Sequence, residues 1–345
     1  MCVKDTGTKY QLWISDFNID GTFTRIHPFI ISHTKTMTRT REDGKEEVFS
    51  ACIKPDDTRY LGGNKSSSVV AIKLQGRPRT GIRYDKANEF CANRGDWITI
   101  IDYLEYCALQ ALYYIEYANF DNQATLNTNL TIDGFKQGGL GAGVTNLNWE
   151  RWIAFNGNNP IVQTYWTAEH NIGNSSTNGD HYELGNYNTD GSNLNTYPAV
   201  YRGILNFFGD IWTFIRNVVI INKDTNYNSV YLLKKGVNHA DVTIDNIQDK
   251  CYFIGDQANT NNFITEFDFR FGPYFVPNKI GTNKKADYNW IRGNNGQDTD
   301  KAVRVLLLGG NADDGSLAGS GYFYSNWGQS DYSADVGFFT TVKLD

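Results

Sequence analysis

Cysteine is scarce in this chain of 345 residues, and so are proline, methionine and charge. The five cysteines are Cys2, Cys52, Cys91, Cys107 and Cys251. An odd number, widely scattered and with no Cys-x-x-Cys, makes neither a disulfide framework nor a zinc site. Cys91 and Cys107 fall in helix-like segments and read as small buried hydrophobes. A reducing compartment is the expected place of synthesis. Charged residues make up only 20% of the chain, with a net charge of -6 and a pI near 5.4. That balance argues against a partner rich in phosphate, so no nucleic acid is expected. No apolar run approaches the ~20 residues that span a bilayer, and no basic start leads into an apolar stretch. Neither membrane insertion nor a signal peptide is therefore expected.

The motifs of common chemistry are missing too. The five histidines (His27, His33, His170, His181 and His239) show no i, i+3 or i, i+4 pairing for a metal. There is no Gly-x-Ser-x-Gly elbow. The glycine run Gly138–Gly143 follows no strand and opens no helix, so it is not a phosphate cradle. Asp16–Gly21 and Asn186–Gly191 match the first half of a calcium loop, but His27 and Tyr197 stand where the closing Glu belongs. Hairpin turns are the plainer reading of both. Arg94-Gly95-Asp96 spells an adhesion tripeptide and reads as a turn between helices. Neither cofactor nor metal is expected. An enzyme is not expected either; carboxylates such as Glu150, Asp180, Glu183 and Asp190 could meet in a cleft, and a carbohydrate-active enzyme using unrecognised carboxylates is the less favoured alternative.

What the chain has instead is amides, glycine and rings. There are 37 Asn and 33 Gly, with 21 Tyr, 20 Phe and 8 Trp. So many aromatics exclude disorder over most of the length. Tyr and Trp give contact area at low entropy cost, and Asn, Ser and Gly give adaptable hydrogen bonding. Such a surface suits binding loops, and equally suits turn-rich β structure without a ligand.

Along the chain, residues 10 to 80 read as short strands and turns. Tyr84–Asn93 and Ile101–Tyr117 read as helices, with Leu104, Ala108, Leu112 and Ile115 on one face of the second. Residues 119 to 197 are mostly irregular, and 170–197 reads as a surface-loop insertion. Strands resume at Ile211–Ile215, Val218–Ile221, Val230–Leu233, Cys251–Ile254 and Phe263–Phe271. The last are Val303–Leu308, Gly321–Tyr324 and Val336–Leu344. No repeat and no linker divides the chain, so one domain over 1–345 is expected, with 1–80 its strand-rich part. The fold class expected from this order is α+β.

Four stretches resemble one family. They are Tyr201-Arg202-Gly203-Ile204-Leu205-Asn206-Phe207-Phe208-Gly209-Asp210-Ile211-Trp212, Arg304–Ala312, Gly315–Gly319 with Tyr322-Phe323-Tyr324, and Val336-Gly337-Phe338. Together with Gly81–Asn88, Ile115–Ala118 and Asn122-Gln123, they are similar to phage proteins of the C-type lectin fold. Those proteins are relatives of the formylglycine-generating enzymes. The likeness runs from about residue 25 to the end. Asp210, Thr213 and Phe339 depart from the pattern. No Cys follows Asn311, so the copper-binding pair of the enzymes is lacking.

The resemblance implies a C-type lectin fold, with two helices on small antiparallel sheets, long ordered loops and Trp212 buried between helices and sheet. It implies a phage-type virion protein, of tail or head fibre, that binds a host-surface glycan or protein through its C-terminal loops. Other virion proteins and further copies of the chain are the remaining partners, and the virion is the location. Some members of that family are diversified by a retroelement that mutates adenines, and Asn311–Asp335 has the composition this leaves. The ligand-binding residues so implied are Asn311, Asp313, Asp314, Ser316, Tyr322, Tyr324, Asn326, Trp327, Gln329, Asp331 and Tyr332. A purely structural virion protein is the alternative.

Overall fold

The computed structural model describes residues 82–92, 98–122, 124, 201, 204–205, 207–209, 211–291, 302–311, 314, 317–333 and 335–343, and the backbone of short strands at 2–5, 10–13, 29–32, 37–40, 46–49, 182–183, 195–196 and 200. The two calcium-like half-loops, the Arg-Gly-Asp turn, the glycine run and most of 170–197 lie outside these residues.

Helix α1 spans Tyr84–Ala92 and helix α2 spans Tyr103–Tyr117. Asp102 caps α2, because its side chain accepts from Glu105 N at 2.9 Å while Glu105 Oε2 accepts from Asp102 N at 3.0 Å. This reciprocal pair satisfies donors that the first turn leaves open. Ala118, in the left-handed region at φ 51°, ends the helix.

Eight strands form one sheet: β1 Trp212–Asn222, β2 Tyr227–Leu233, β3 Cys251–Ala258, β4 Asn262–Asp268, β5 Val276–Gly281, β6 Tyr288–Trp290, β7 Arg304–Gly309 and β8 Gly319–Tyr324. Their order is β3-β2-β1-β7-β8-β6-β4-β5, and Val336–Gly337 (β9) adds to β1 in parallel. All neighbours among the eight are antiparallel except β6 and β8. The two ends of this order come together, since Asn278 of β5 donates to the Asp256 carbonyl of β3 at 3.0 Å. The sheet is thus a nearly closed barrel.

Alternation along the strands sorts side chains to two faces. Ile215, Val218 and Ile220 of β1, Leu306 and Leu308 of β7 and Phe323 of β8 share a core with Tyr103, Tyr106, Cys107, Ala111, Tyr113 and Tyr114 of α2. Trp212, Phe214, Val305, Leu307 and Tyr322 point the other way and share a second core with Tyr84, Ala87 and Cys91 of α1. In β1 the register against β7 shifts between Ile215 and Ile220, where Asn217 takes φ 68°. That bulge lets one strand run where two were expected, at Ile211–Ile215 and Val218–Ile221.

The expected α+β C-type lectin fold is not what the chain adopts. Among the described residues strand exceeds helix, 42% against 24%, and most of the later strands join one large barrel-like sheet. The two helices do not pack together on one side. Each covers a different face, because each carries its own apolar stripe and the sheet has two. The closing strand is also divided: β9 joins β1, whereas Thr340–Lys343 pairs with Phe29–Ser32 and Ile98–Ile100 in a separate sheet. Trp212 is buried, 5% exposed, beside Tyr322 and Tyr324 of β8 in the core shared with α1 and not with α2.

Candidate binding surface

The second core reaches the surface as a row of rings. β6 and β8 run in parallel with Trp290 opposite Tyr324, and Tyr288 meets Tyr322 edge to face at 5.5 Å. Trp212 lies beneath, its ring 4.5 Å from Tyr322 and 4.9 Å from Tyr324. Tyr324 in turn stands 6.2 Å from Trp290 on one side and 6.2 Å from Trp327 on the other. Offset and edge contacts of this kind satisfy ring quadrupoles and stiffen the group. Trp290 is 37% exposed, so the row ends in water with an indole.

Backbone bonds hold this row in place. Ser325 N donates to the Trp290 carbonyl at 3.1 Å, and Val305 N donates to the Trp327 carbonyl at 2.9 Å. The following loop closes as a turn in which Asp331 Oδ2 accepts from Gly328 N at 2.9 Å. Tyr332 follows directly and is 65% exposed. Asn326 Nδ2 donates to Tyr324 Oη at 3.1 Å. Burial pushes the Tyr324 phenol up from its ordinary range, partly offset by that amide, so Tyr324 stays neutral at physiological pH.

The residues expected from sequence thus divide. Tyr324, Asn326 and Trp327 come together, half-buried, beside Trp290, and Asp331 and Tyr332 lie exposed on the adjoining loop. Gln329 reaches the other way, to His239. Tyr322 is fully buried and fills core volume. Asn311 is buried as well. Its Nδ2 donates to Asp335 Oδ2 at 2.6 Å, its backbone N–H donates to Asp314 Oδ2 at 2.7 Å, and its Oδ1 accepts from Asp314 N at 3.0 Å. These three residues brace the chain after the turn at Gly309 and Gly310, which take φ 103° and 76°. Asp313 and Ser316 lie outside the described residues. Among the described residues no group of three or more His, Cys, Asp or Glu is arranged to hold a metal ion.

Sequence reasoning missed Trp290 and Tyr288. The signal was there in Tyr288-Asn289-Trp290, two rings at a spacing of two after a polar turn, which is a strand with one aromatic face. His239 lies away from the row, packed 5.2 Å from the Tyr84 ring with Nε2 3.2 Å from the Arg304 carbonyl. No family model matches the chain, and no curated protein matches it.

Proposed function

We propose that the protein is a recognition protein of a phage-type virion that binds a host-surface glycan across the Trp290–Tyr324–Trp327 row, with Tyr332 and Asp331 at its edge. The observation that carries this is the solvent-facing Trp290, seated on buried rings that fix its neighbours. A sugar ring offers apolar C–H faces and hydroxyl edges. A rigid aromatic row takes the faces, and amides and carboxylates such as Asn326 and Asp331 take the edges. The function is binding rather than catalysis. A shallow site of this type holds one ligand weakly, and several copies on a particle restore affinity through avidity of ~10²–10⁴.

A structural virion protein is favoured by a different observation. Phe271 and Tyr252, at 53% and 61% exposure, present further rings on β3 and beyond β4, which suits packing against a neighbouring virion subunit. Adsorption to host cells by the folded Trp290→Ala variant separates the two: a receptor site loses binding, and a scaffold protein loses none.

A further inference from the structure

A carboxyl group lies inside the barrel. Asp287, just before β6, is 1% exposed. Its Oδ1 accepts from Asn122 N at 3.1 Å, and its Oδ2 accepts from Gly321 N of β8 at 2.8 Å. Gly319 and Gly321 make room for it. Any side chain at Gly319 would collide with the carboxyl, and a methyl at Gly321 would lie 2.7 Å from Tyr114 Oη and 3.0 Å from Asp287 Oδ2.

Helix α2 turns a polar stripe toward this group, with Tyr106, Gln110 and Tyr114 at i, i+4 and i+8. Gln110 Nε2 donates to the Ser320 carbonyl at 2.8 Å, between the two glycines. Tyr106 Oη, Gln110 Oε1, Tyr114 Oη and Ser320 Oγ are all buried and make no hydrogen bond among the described residues. The last two face each other outside bonding geometry. Buried polar groups left in this way carry a cost that native structures rarely bear without a purpose.

We propose that Asp287 is a proton-binding junction between α2, the segment at Asn122 and strand β8, in which each protonation state recruits a different set of these buried groups. A neutral carboxyl needs one acceptor for its proton, and Gln110 Oε1 and Ser320 Oγ are acceptors in the cluster. A carboxylate needs donors, and the hydroxyls of Tyr106 and Tyr114 become donors to it when their side chains shift toward it. The proton itself passes to or from solvent. The ionisable groups facing Asp287 are these two tyrosines, Asp121 on the Asn122 segment, and Lys284, whose Nζ pairs with Asp121 at 2.8 Å. Burial, and then the Asp121 charge, push the Asp287 carboxyl up to about 7, against the pull of the Gly321 N–H, Lys284 and the Asn122 N–H. The junction therefore changes state near neutral pH. Strand β8 runs from this junction to Tyr324, so the proton acts on the strand that carries the aromatic row.

The test is a titration of the Asp287 carboxyl carbon by NMR in the full chain, with no ligand present, so that it does not depend on what the protein binds. The expected midpoint is near neutrality. Gln110→Leu, which removes an acceptor for the neutral form, lowers the midpoint, and Tyr106→Phe with Tyr114→Phe, which removes donors to the carboxylate, raises it. Each shift is on the order of one pH unit. Asp287→Asn abolishes the transition as seen in the Gly321 and Asn122 amide signals. Should that variant not fold, the wild-type midpoint and the two opposite shifts decide alone. A wild-type midpoint in the ordinary carboxylate range, or midpoints that move the same way in both sets of variants, overturns the proposal.

Discussion

Removing the Trp212 side chain is the most demanding perturbation of the aromatic row. The ring is 5% exposed and touches both Tyr322 and Tyr324. Trp→Ala in a packed core costs about 3–5 kcal/mol, made of lost transfer energy and the cavity left behind. Two ring contacts add about 0.5–1.5 kcal/mol each if the neighbours cannot close in. Tyr322 is held at 0% exposure between strands, so little collapse is available and the upper half of the range applies. For a chain of this size that lowers the melting temperature by on the order of 5–10 °C. Thermal unfolding followed by near-ultraviolet circular dichroism measures it, with Trp212→Phe as the milder control. A loss below about 1 kcal/mol in Trp212→Ala would show that the row is not packed as described.

Three further predictions rest on single residues. Asp102→Ala removes the cap of α2, and the expected loss is about 0.5–2 kcal/mol in denaturant unfolding. His239 is buried, and that burial lowers its pKa from the ordinary value of 6.5, against bonds to Arg304 and Gln329. The unfolded chain then binds the proton more readily than the folded one, so this contribution to stability is lost as pH falls through and below about 6.5. His239→Gln flattens that part of the pH–stability curve, and an unchanged slope would contradict the assignment. Asp287 works with the opposite sign. Its raised pKa means that the folded chain holds the proton longer, so stability falls as pH rises from about 4 to about 7 and is level above it.

Helix α2 was legible because its apolar spacing is long and its cap uses local residues, Asp102 and Glu105. Most strands were legible for the same reason, as short alternating runs between turns. The barrel was not, since strand order is a matter of non-local pairing. Polar side chains inside it hide the pattern further. Gln257, Asn289 and Ser325 are buried and bond one another, Gln257 to Asn289 at 2.8 Å and Ser325 to Gln257 at 2.9 Å. In sequence these look like solvent positions, and their hydrogen bonds to one another and to the Ala258 and Thr260 carbonyls make them core. The face of α2 was misread: of Leu104, Ala108, Leu112 and Ile115 only Ala108 is buried and Ile115 is exposed, because the helix packs its tyrosines, Tyr103, Tyr106, Tyr113 and Tyr114, against the sheet instead. At the surface, Tyr322 and Tyr324 stand two apart on β8 and both pack on Trp212. That one is buried and the other reaches Trp290 depends on β6 lying beside β8, a parallel pairing that no local pattern announces.

The most direct test of the binding surface is adsorption to host cells, or to a glycan array, by Trp290→Ala. Trp290 is the exposed end of the row, so its loss leaves the core intact, and unchanged thermal unfolding confirms that. An aromatic anchor that contacts the ligand is worth about 2 kcal/mol, which is roughly a 30-fold loss of single-site affinity. Tyr332→Ala, at the edge, is expected to lose less. If folded Trp290→Ala adsorbs like the parent, the aromatic row is not where the ligand binds.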